Sequence, residues 1–277
     1  LNILFLGDIV GRAGRDVVAE HLPGLRESLD LDIVIANGEN AAHGFGITDK
    51  ICRELYECGV DVITSGNHVW DQREIIGYID GDKRLLRPLN YPKGTPGRGA
   101  AVYEAGRGRK VLVINVMCRL FMDPLDNPFE LLESELARHR LGGTVAATIV
   151  DVHGEATSEK QAFGHIVDGR ATLAVGTHTH VPTADARILA GGTAYMTDVG
   201  MCGDYESIIG MAKESAIERF VRKLPTDRLS PASGDGTLCG VFVASDDRTG
   251  LAQRVEPIRI GGVLAPAPPS GTARNQA

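Results

Sequence analysis

The 277-residue chain lacks most of the features that would point to a membrane, a secretory route or a covalent catalyst. It has no run of about 18 apolar residues, so no transmembrane helix is expected. Its opening Leu1-Asn2-Ile3-Leu4-Phe5 carries no basic stretch ahead of the apolar residues and reads as a strand, not a signal peptide. The five cysteines, Cys52, Cys58, Cys118, Cys202 and Cys239, are odd in number and show no Cys-x-x-Cys spacing. Buried thiols in a reducing compartment are the expectation, with the cytoplasm as default. Excess basic charge is missing as well: the formal net charge is −7, spread along the length. That excludes a bulk basic surface for long nucleic acid and leaves room for a local phosphate pocket. Neither a Gly-x-Ser-x-Gly elbow nor a Walker A loop is present.

What is present is the composition of a soluble globular protein, 43% hydrophobic and 23% charged, long enough for one large α/β domain or two small ones. Short apolar runs at Ile3–Leu6, Asp32–Ala36, Asp61–Thr64, Lys110–Val116, Val145–Val152 and Ala171–Val175 are almost continuous, as in strands covered on both faces. Helix-length amphipathic segments lie between them: Arg15–Leu29, with a kink or break expected at Pro23, Asp49–Cys58, and a segment opened by Asn127-Pro128 as N-cap and first helical residue. The alternation predicts an α/β fold with an at least partly parallel sheet. Beyond residue 184, segments Ala184–Leu189, Ala194–Asp198, Thr237–Ala244 and Ala252–Ile260 read as strands that could make a second sheet, interrupted by a helix near Lys213–Lys223. No linker marks a boundary, so residues 1–262 are expected to form one domain and 263–277 a flexible tail.

The chemistry follows the strands. Gly7-Asp8, Asn37-Gly38-Glu39-Asn40, Ser65-Gly66-Asn67-His68, His153-Gly154 and Gly176-Thr177-His178-Thr179-His180 each come after an apolar run. Carboxyl ends of parallel strands share one edge of a sheet, so groups remote in sequence converge there. Asp8, Glu39, Asn40, Asn67, His153, His178 and His180 together offer hard oxygens and imidazole nitrogens, a mixture that suits manganese, iron or zinc. Seven donors exceed the needs of one catalytic ion with an open position and fit two ions, which clamp a phosphoryl group and activate a bridging water. Taken singly, Asp8 or Asn67 would be an ordinary turn or cap residue. On an extended segment His178 and His180 would point to one face.

His68, adjoining Asn67, is the candidate general acid, since an imidazole can protonate a leaving oxygen near neutral pH. Asp71 is read first as the cap of a following helix and second as a partner that orients His68. His43, in a glycine-flanked loop, is a candidate substrate contact, and Arg12, Arg15 and Arg98 are candidates for a basic rim. His21, His139 and His165 fall in helical segments and are read as surface or core-edge residues.

In this order the motifs resemble the calcineurin-like metallophosphoesterase superfamily, whose pattern runs Asp-x-His, Gly-Asp-x-x-Asp, Gly-Asn-His, a lone His and Gly-His-x-His. Two departures, Val10 in place of the first histidine and Glu39-Asn40 in place of the bridging aspartate, are shared with its bacterial YmdB-like branch, as are Gly38-Glu39-Asn40-Ala41-Ala42 and Gly66-Asn67-His68-Val69-Trp70-Asp71. The resemblance implies a four-layer αββα sandwich of two mixed sheets and a phosphodiesterase acting on 2′,3′-cyclic nucleotides with iron or manganese. It implies one metal on Asp8, Glu39, Asn40 and His180, a second on Glu39, Asn67, His153 and His178 with Glu39 shared, and attack by a bridging hydroxide. Such proteins are associated with homo-oligomers and with regulation of RNA metabolism. A small nucleotide is the expected partner. A phosphomonoesterase or nuclease with the same metals, or a nucleotide-sensing regulatory protein, are the alternatives.

Overall fold

The structure, a computed structural model, describes residues 1–223 and 228–270. Its elements are β1 (Asn2–Leu6), β2 (Asp8–Ile9), α1 (Gly11–Ser28), β3 (Ile33–Asn37), α2 (Asp49–Glu57), β4 (Val62–Thr64), α3 (Ile75–Tyr78), β5 (Ala100–Ala105), β6 (Arg109–Met117), α4 (Pro128–Arg138), β7 (Ala147–His153), α5 (Thr157–Ile166), β8 (Leu173–Thr177), β9 (Arg187–Ile188), β10 (Ala194–Met196), β11 (Met201–Asp204), α6 (Lys213–Arg222), β12 (Gly236–Ser245) and β13 (Ala252–Gly261). Among the described residues the strands make two mixed sheets. One runs β2-β11-β12-β1-β3-β4 with β13 also paired to β12; the other runs β5-β6-β7-β8-β10-β9.

Side-chain alternation along the strands explains the layering. Ile3 and Phe5 of β1, Ile33 and Ile35 of β3, Ile149 of β7 and Leu173 and Val175 of β8 share one core between the sheets. The intervening Leu4, Leu6 and Val34 pack instead against Leu22 and Leu25 of α1 and Leu55 of α2. On the other sheet Ile114, Val150 and Val152 pack against Leu132 of α4 and Phe163 of α5. Successive residues of a strand face opposite sides, so strands apolar throughout must be covered twice. The result is the helix–sheet–sheet–helix stack that the resemblance implied.

Two expectations are corrected. The late strands do not form a second sheet of their own: β12 inserts beside β1, antiparallel from Asn2↔Ala244 to Leu6↔Gly240, while β10 joins β8 in the other sheet. The β1–β12 pairing joins residues over 200 positions apart, and local pattern carries no record of it. Helix α1 begins at Gly11 and continues through Pro23, whose side is exposed while Val17, Val18, Leu22 and Leu25 are buried, so the carbonyl left without a donor faces water. Residues 263–270, the described part of the segment expected to be a flexible tail, run beside β13. Arg259 and Ala267 exchange both backbone hydrogen bonds, and Ser270 N donates to Glu256 Oε2 at 2.8 Å. The remainder of that tail, 271–277, lies outside the described residues. No helix among the described residues is long and apolar enough to cross a membrane.

Candidate functional site

The inter-sheet core changes character at the carboxyl ends of its strands. Along β3 the inward series Ile33, Ile35 continues with Asn37; along β7, Ala147 and Ile149 continue with Asp151 and His153; along β8, Leu173 and Val175 continue with Thr177. The two-residue period thus stacks a polar layer directly on the apolar one. The loops after these strands, and β2, bring Asp8, Glu39, Asn40, Asn67, His153, His178 and His180 together above that layer. Glu39 Oε1 lies 3.1 Å from His153 Nε2, which is 3.0 Å from Asn67 Oδ1 and 3.2 Å from His178 Nδ1. Glu39, His153 and His178 offer donor atoms within 4.8 Å of one another. On the other side His180 Nε2 is 3.9 Å from Asp8 Oδ1. Gly66 has to be glycine: a Cβ there would strike His153 Nε2 and Glu39 Oε2 and fill the space between the donors.

Buried hydrogen bonds fix which atoms face that space. Thr177 Oγ1 donates to Asp151 Oδ1 at 2.7 Å, so it accepts from His153 Nδ1 at 2.8 Å and leaves Nε2 with a free lone pair. His180 Nδ1 donates to the Ile209 carbonyl at 2.8 Å, which frees its Nε2 likewise. The Asn40 amide donates to the Gly44 carbonyl at 3.0 Å and turns Oδ1 inward. Asp8 Oδ1, Glu39 Oε1 and Asn40 Oδ1 are then buried oxygens without a hydrogen-bond partner. Three such oxygens side by side are costly unless a cation faces them. The 3.2 Å between two imidazole nitrogens is also roughly the spacing of neighbouring donors around an ion with bonds of ~2.1 Å. The residues fit a metal.

Electrostatics agree. Burial pushes Asp8 up to about 6, with His180 and His153 opposing. Burial acts upward on Glu39 too, but His153 and His68 outweigh it and hold the carboxyl at about 2. Burial pulls His153 down, yet Glu39, Asp8 and Asp151 lift it to about 9. Burial and His153 drive His178 down to about 3, keeping it neutral. The pocket favours positive charge within it, which a proton on His153 or a metal cation supplies.

The histidine pair is not on an extended segment. His178 and His180 have φ of 98° and 65°, left-handed conformations that cost roughly 1–3 kcal/mol each. Flanking bonds hold them: His178 N donates to Asp8 Oδ2 at 3.1 Å, Thr179 N to Asp198 Oδ2 at 3.1 Å, and Tyr205 Oη to the His180 carbonyl at 3.0 Å. Beneath this loop Lys160 of α5 is fully buried, its Nζ 2.7 Å from both the Thr177 carbonyl and Asp198 Oδ2. Because of the twist, the two rings reach opposite sides of the donor set, His178 toward His153 and His180 toward Asp8.

A cleft of about 310 Å³ opens over the donors, lined by Glu39, Asn40, His68, His178 and His180 on one part and by Phe45, Ile209, Met211 and Leu229 on another, with Glu155 and Thr179. His68 N donates to Glu39 Oε2 at 3.0 Å, and its Nδ1 lies 3.0 Å from Asp71 Oδ2. Asp71 therefore faces His68 and caps no helix, since α3 begins only at Ile75 behind Glu74. His43 is exposed and absent from the cleft lining; Phe45, two residues on, is the part of that loop that reaches it. The basic rim is not assembled either. Arg12 pairs with Asp16, Arg15 donates to the Ala41 carbonyl and Arg98 to the Asp80 carbonyl, and none lines the cleft. Val10, where the superfamily pattern has histidine, packs with Met201 and Met211 in an apolar cluster. Sequence reasoning missed Asn37, Asp151 and Thr177, whose two-residue spacing from inward apolar residues was the available signal. It also missed Lys160 and Asp198, for which no local signal exists.

The chain matches the sequence model of the YmdB-like protein family over residues 4–258. It is 49% identical over 260 residues to a Bacillus subtilis (strain 168) protein named 2′,3′-cyclic-nucleotide 2′-phosphodiesterase, covering 94% of this chain and 97% of that one. A solved hypothetical protein from Thermus thermophilus is 42% identical at a TM-score of 0.88, over 95% of this chain and 100% of that one. A solved Mycoplasma pneumoniae protein, described as a novel phosphatase, is 36% identical, also at 0.88, over 97% and 95%.

Proposed function

The chain belongs to the YmdB-like family, and from that premise we propose that it hydrolyses 2′,3′-cyclic nucleotides at a two-metal site. The observation that carries the metal part is the convergence of three unpartnered buried oxygens, on Asp8, Glu39 and Asn40, with the free lone pairs of His153, His178 and His180. Asp8, Asn40 and His180 would hold one ion, Asn67, His153 and His178 the other, and Glu39 both. Nitrogen and oxygen donors in this proportion suit iron or manganese, with zinc also accommodated. When bound, the pair would neutralise phosphoryl charge and lower the pKa of a water for in-line attack.

The chain's own residues do the rest. Asp71 accepts from His68 Nδ1 and orients the ring; Nε2 is then the nitrogen that carries a proton to the departing ribose oxygen. Glu39, by accepting from the His68 backbone, fixes the acid relative to the donor set. The substrate part rests on the 49% identical relative's name. Replacing His68→Ala is expected to lower kcat about 10²–10⁴-fold with metal content intact; full turnover in that variant removes His68 from the mechanism. A panel of 2′,3′-cyclic and 3′,5′-cyclic nucleotides, mononucleotides and short RNA tests the substrate, and a preference for monoesters overturns the cyclic-diester reading. Self-association belongs to the same proposal, supported by the apolar Ile217, Phe220 and Val221 exposed on α6, and light scattering tests it.

A further inference from the structure

One segment of the cleft wall touches the donors only through a backbone carbonyl, that of Ile209, which accepts from His180 Nδ1. Ile208 and Met211 exchange both backbone hydrogen bonds, at 2.9 and 3.0 Å, around a two-residue tip, Ile209-Gly210. Both tip residues have positive φ, 47° and 93°, as in a type I′ turn. Such turns take asparagine, aspartate or glycine at the first position, and a β-branched residue there is a conformational outlier. Ile209 is also 52% exposed. Its carbonyl serves His180, but any residue supplies a carbonyl, and glycine would supply it without strain. The bond to His180 thus calls for no particular side chain, and the residue that carries this strained, exposed one lines the cleft.

The surroundings say what that side chain meets. Phe45, Met211 and Leu229 line the same cleft, and none of the four side chains carries an N–H or O–H group. The Phe45 ring stands edge to face with His68, centroids 5.1 Å apart, and the Arg228 guanidinium lies 5.6 Å from its centre. The wall is thus continuous with the polar part of the cleft, within one ring of the candidate acid. A substrate whose phosphate sits over the donors places its attached group against this wall. A flat, apolar-faced group, held out from the phosphate by the ribose, fits it.

We propose that Ile209, Phe45, Met211 and Leu229 form a nucleobase subsite that grips the base by its faces and reads none of its edges. This rests on the cyclic-nucleotide reading above. The four bases then differ little as substrates, and the base itself matters greatly, because stacking against such a surface does not depend on edge chemistry.

The test compares kcat/KM for the four 2′,3′-cyclic nucleotides with that for methyl ribofuranoside 2′,3′-cyclic phosphate, which has no base, in the metal-loaded protein. The base is expected to improve kcat/KM about 10–100-fold, with the four nucleotides within about tenfold of one another. Ile209→Ala and, separately, Leu229→Ala should cost the nucleotides several times more than they cost the base-free ester. Equal rates with and without a base in the unaltered protein overturn the subsite while leaving the cyclic-diester activity standing. A preference above about 100-fold for one base, or variants that keep the unaltered ratio, also overturn it. Turnover of neither class takes down the activity and the subsite together.

Discussion

Below the donor set, Lys160, Asp151 and Thr177 are wholly buried and Asp198 is 1% exposed, and each makes at least two hydrogen bonds; at the mouth of the cleft Ile209 is 52% exposed in a left-handed backbone, and outside the cleft lining Phe220 and Val221 on α6 are 65% and 76% exposed. The floor removes charges from water, which costs several kcal/mol per ion, and offsets it with a network of buried hydrogen bonds and the Lys160–Asp198 pair. The rim leaves apolar surface in water. A floor of that kind can fix six or seven donor atoms to within a fraction of an ångström, as a metal site demands. A rim of the other kind suits a group that varies from one substrate to the next. Precision and tolerance are separated in space, and substitutions in the two regions should fail in different ways.

The largest effect is expected where the floor holds its only lysine. Lys160→Met strands Asp198 in the interior and releases the Thr177 carbonyl. Removing one partner of a buried pair costs about 3–5 kcal/mol, or roughly 10 °C in melting temperature for a domain of this size. Circular dichroism melts of the metal-free protein check it. Adding Asp198→Asn to Lys160→Met should recover part of the loss. A change below about 1 kcal/mol would mean that the floor is less tightly determined than its hydrogen bonds imply.

Next comes a substitution that should spare the fold and reach the metal. Thr177→Val keeps volume and removes the hydroxyl between Asp151 and His153. His153 then loses the bond that fixes its Nδ1 proton, and metal affinity should fall about 10–100-fold. Competition with a chromophoric chelator measures this. Unaltered affinity would detach the polar layer from the donor set above it. Asp71→Asn is milder: an amide oxygen can still accept from His68 Nδ1, so kcat should fall only about tenfold, a part of the 10²–10⁴ that a general acid contributes. Steady-state kinetics at matched metal content decide it, and a loss as large as that of His68→Ala would make Asp71 inseparable from the acid.

The two regions were not equally legible in the sequence. The convergence of Asp8, Glu39, Asn67, His153 and His178 was legible because each follows an apolar run and such strand ends share an edge. The polar layer beneath was visible in principle, since Asp151 precedes His153 by two and Thr177 follows Val175 by two, but within nearly continuous apolar strands these read as ordinary interruptions. Lys160 could not be found: a lysine in an amphipathic helix ordinarily lies in water, and only the distant Asp198 puts it inside. The turn at Ile209 was hidden for the opposite reason, because its conformation contradicts its residue type. Strand allocation was hidden too, since β12 lies between β1 and β13 through contacts that no local period encodes.

The smallest effect is expected outside the cleft, on the exposed face of α6. Among the described residues Phe220 packs into no core cluster, so Phe220→Ser should alter the urea midpoint of the protein by no more than about 0.5 kcal/mol equivalent, as for other exposed positions. Its side chain is 65% exposed beside Val221 at 76%, apolar surface that water does not favour. If a second copy covers that face, the same substitution lowers the mass seen by light scattering at fixed concentration while the midpoint of the dissociated protein stays in place. A fall of about 2 kcal/mol or more in the dissociated protein would put Phe220 in the fold's own packing and weaken the contrast between a determined floor and a permissive surface.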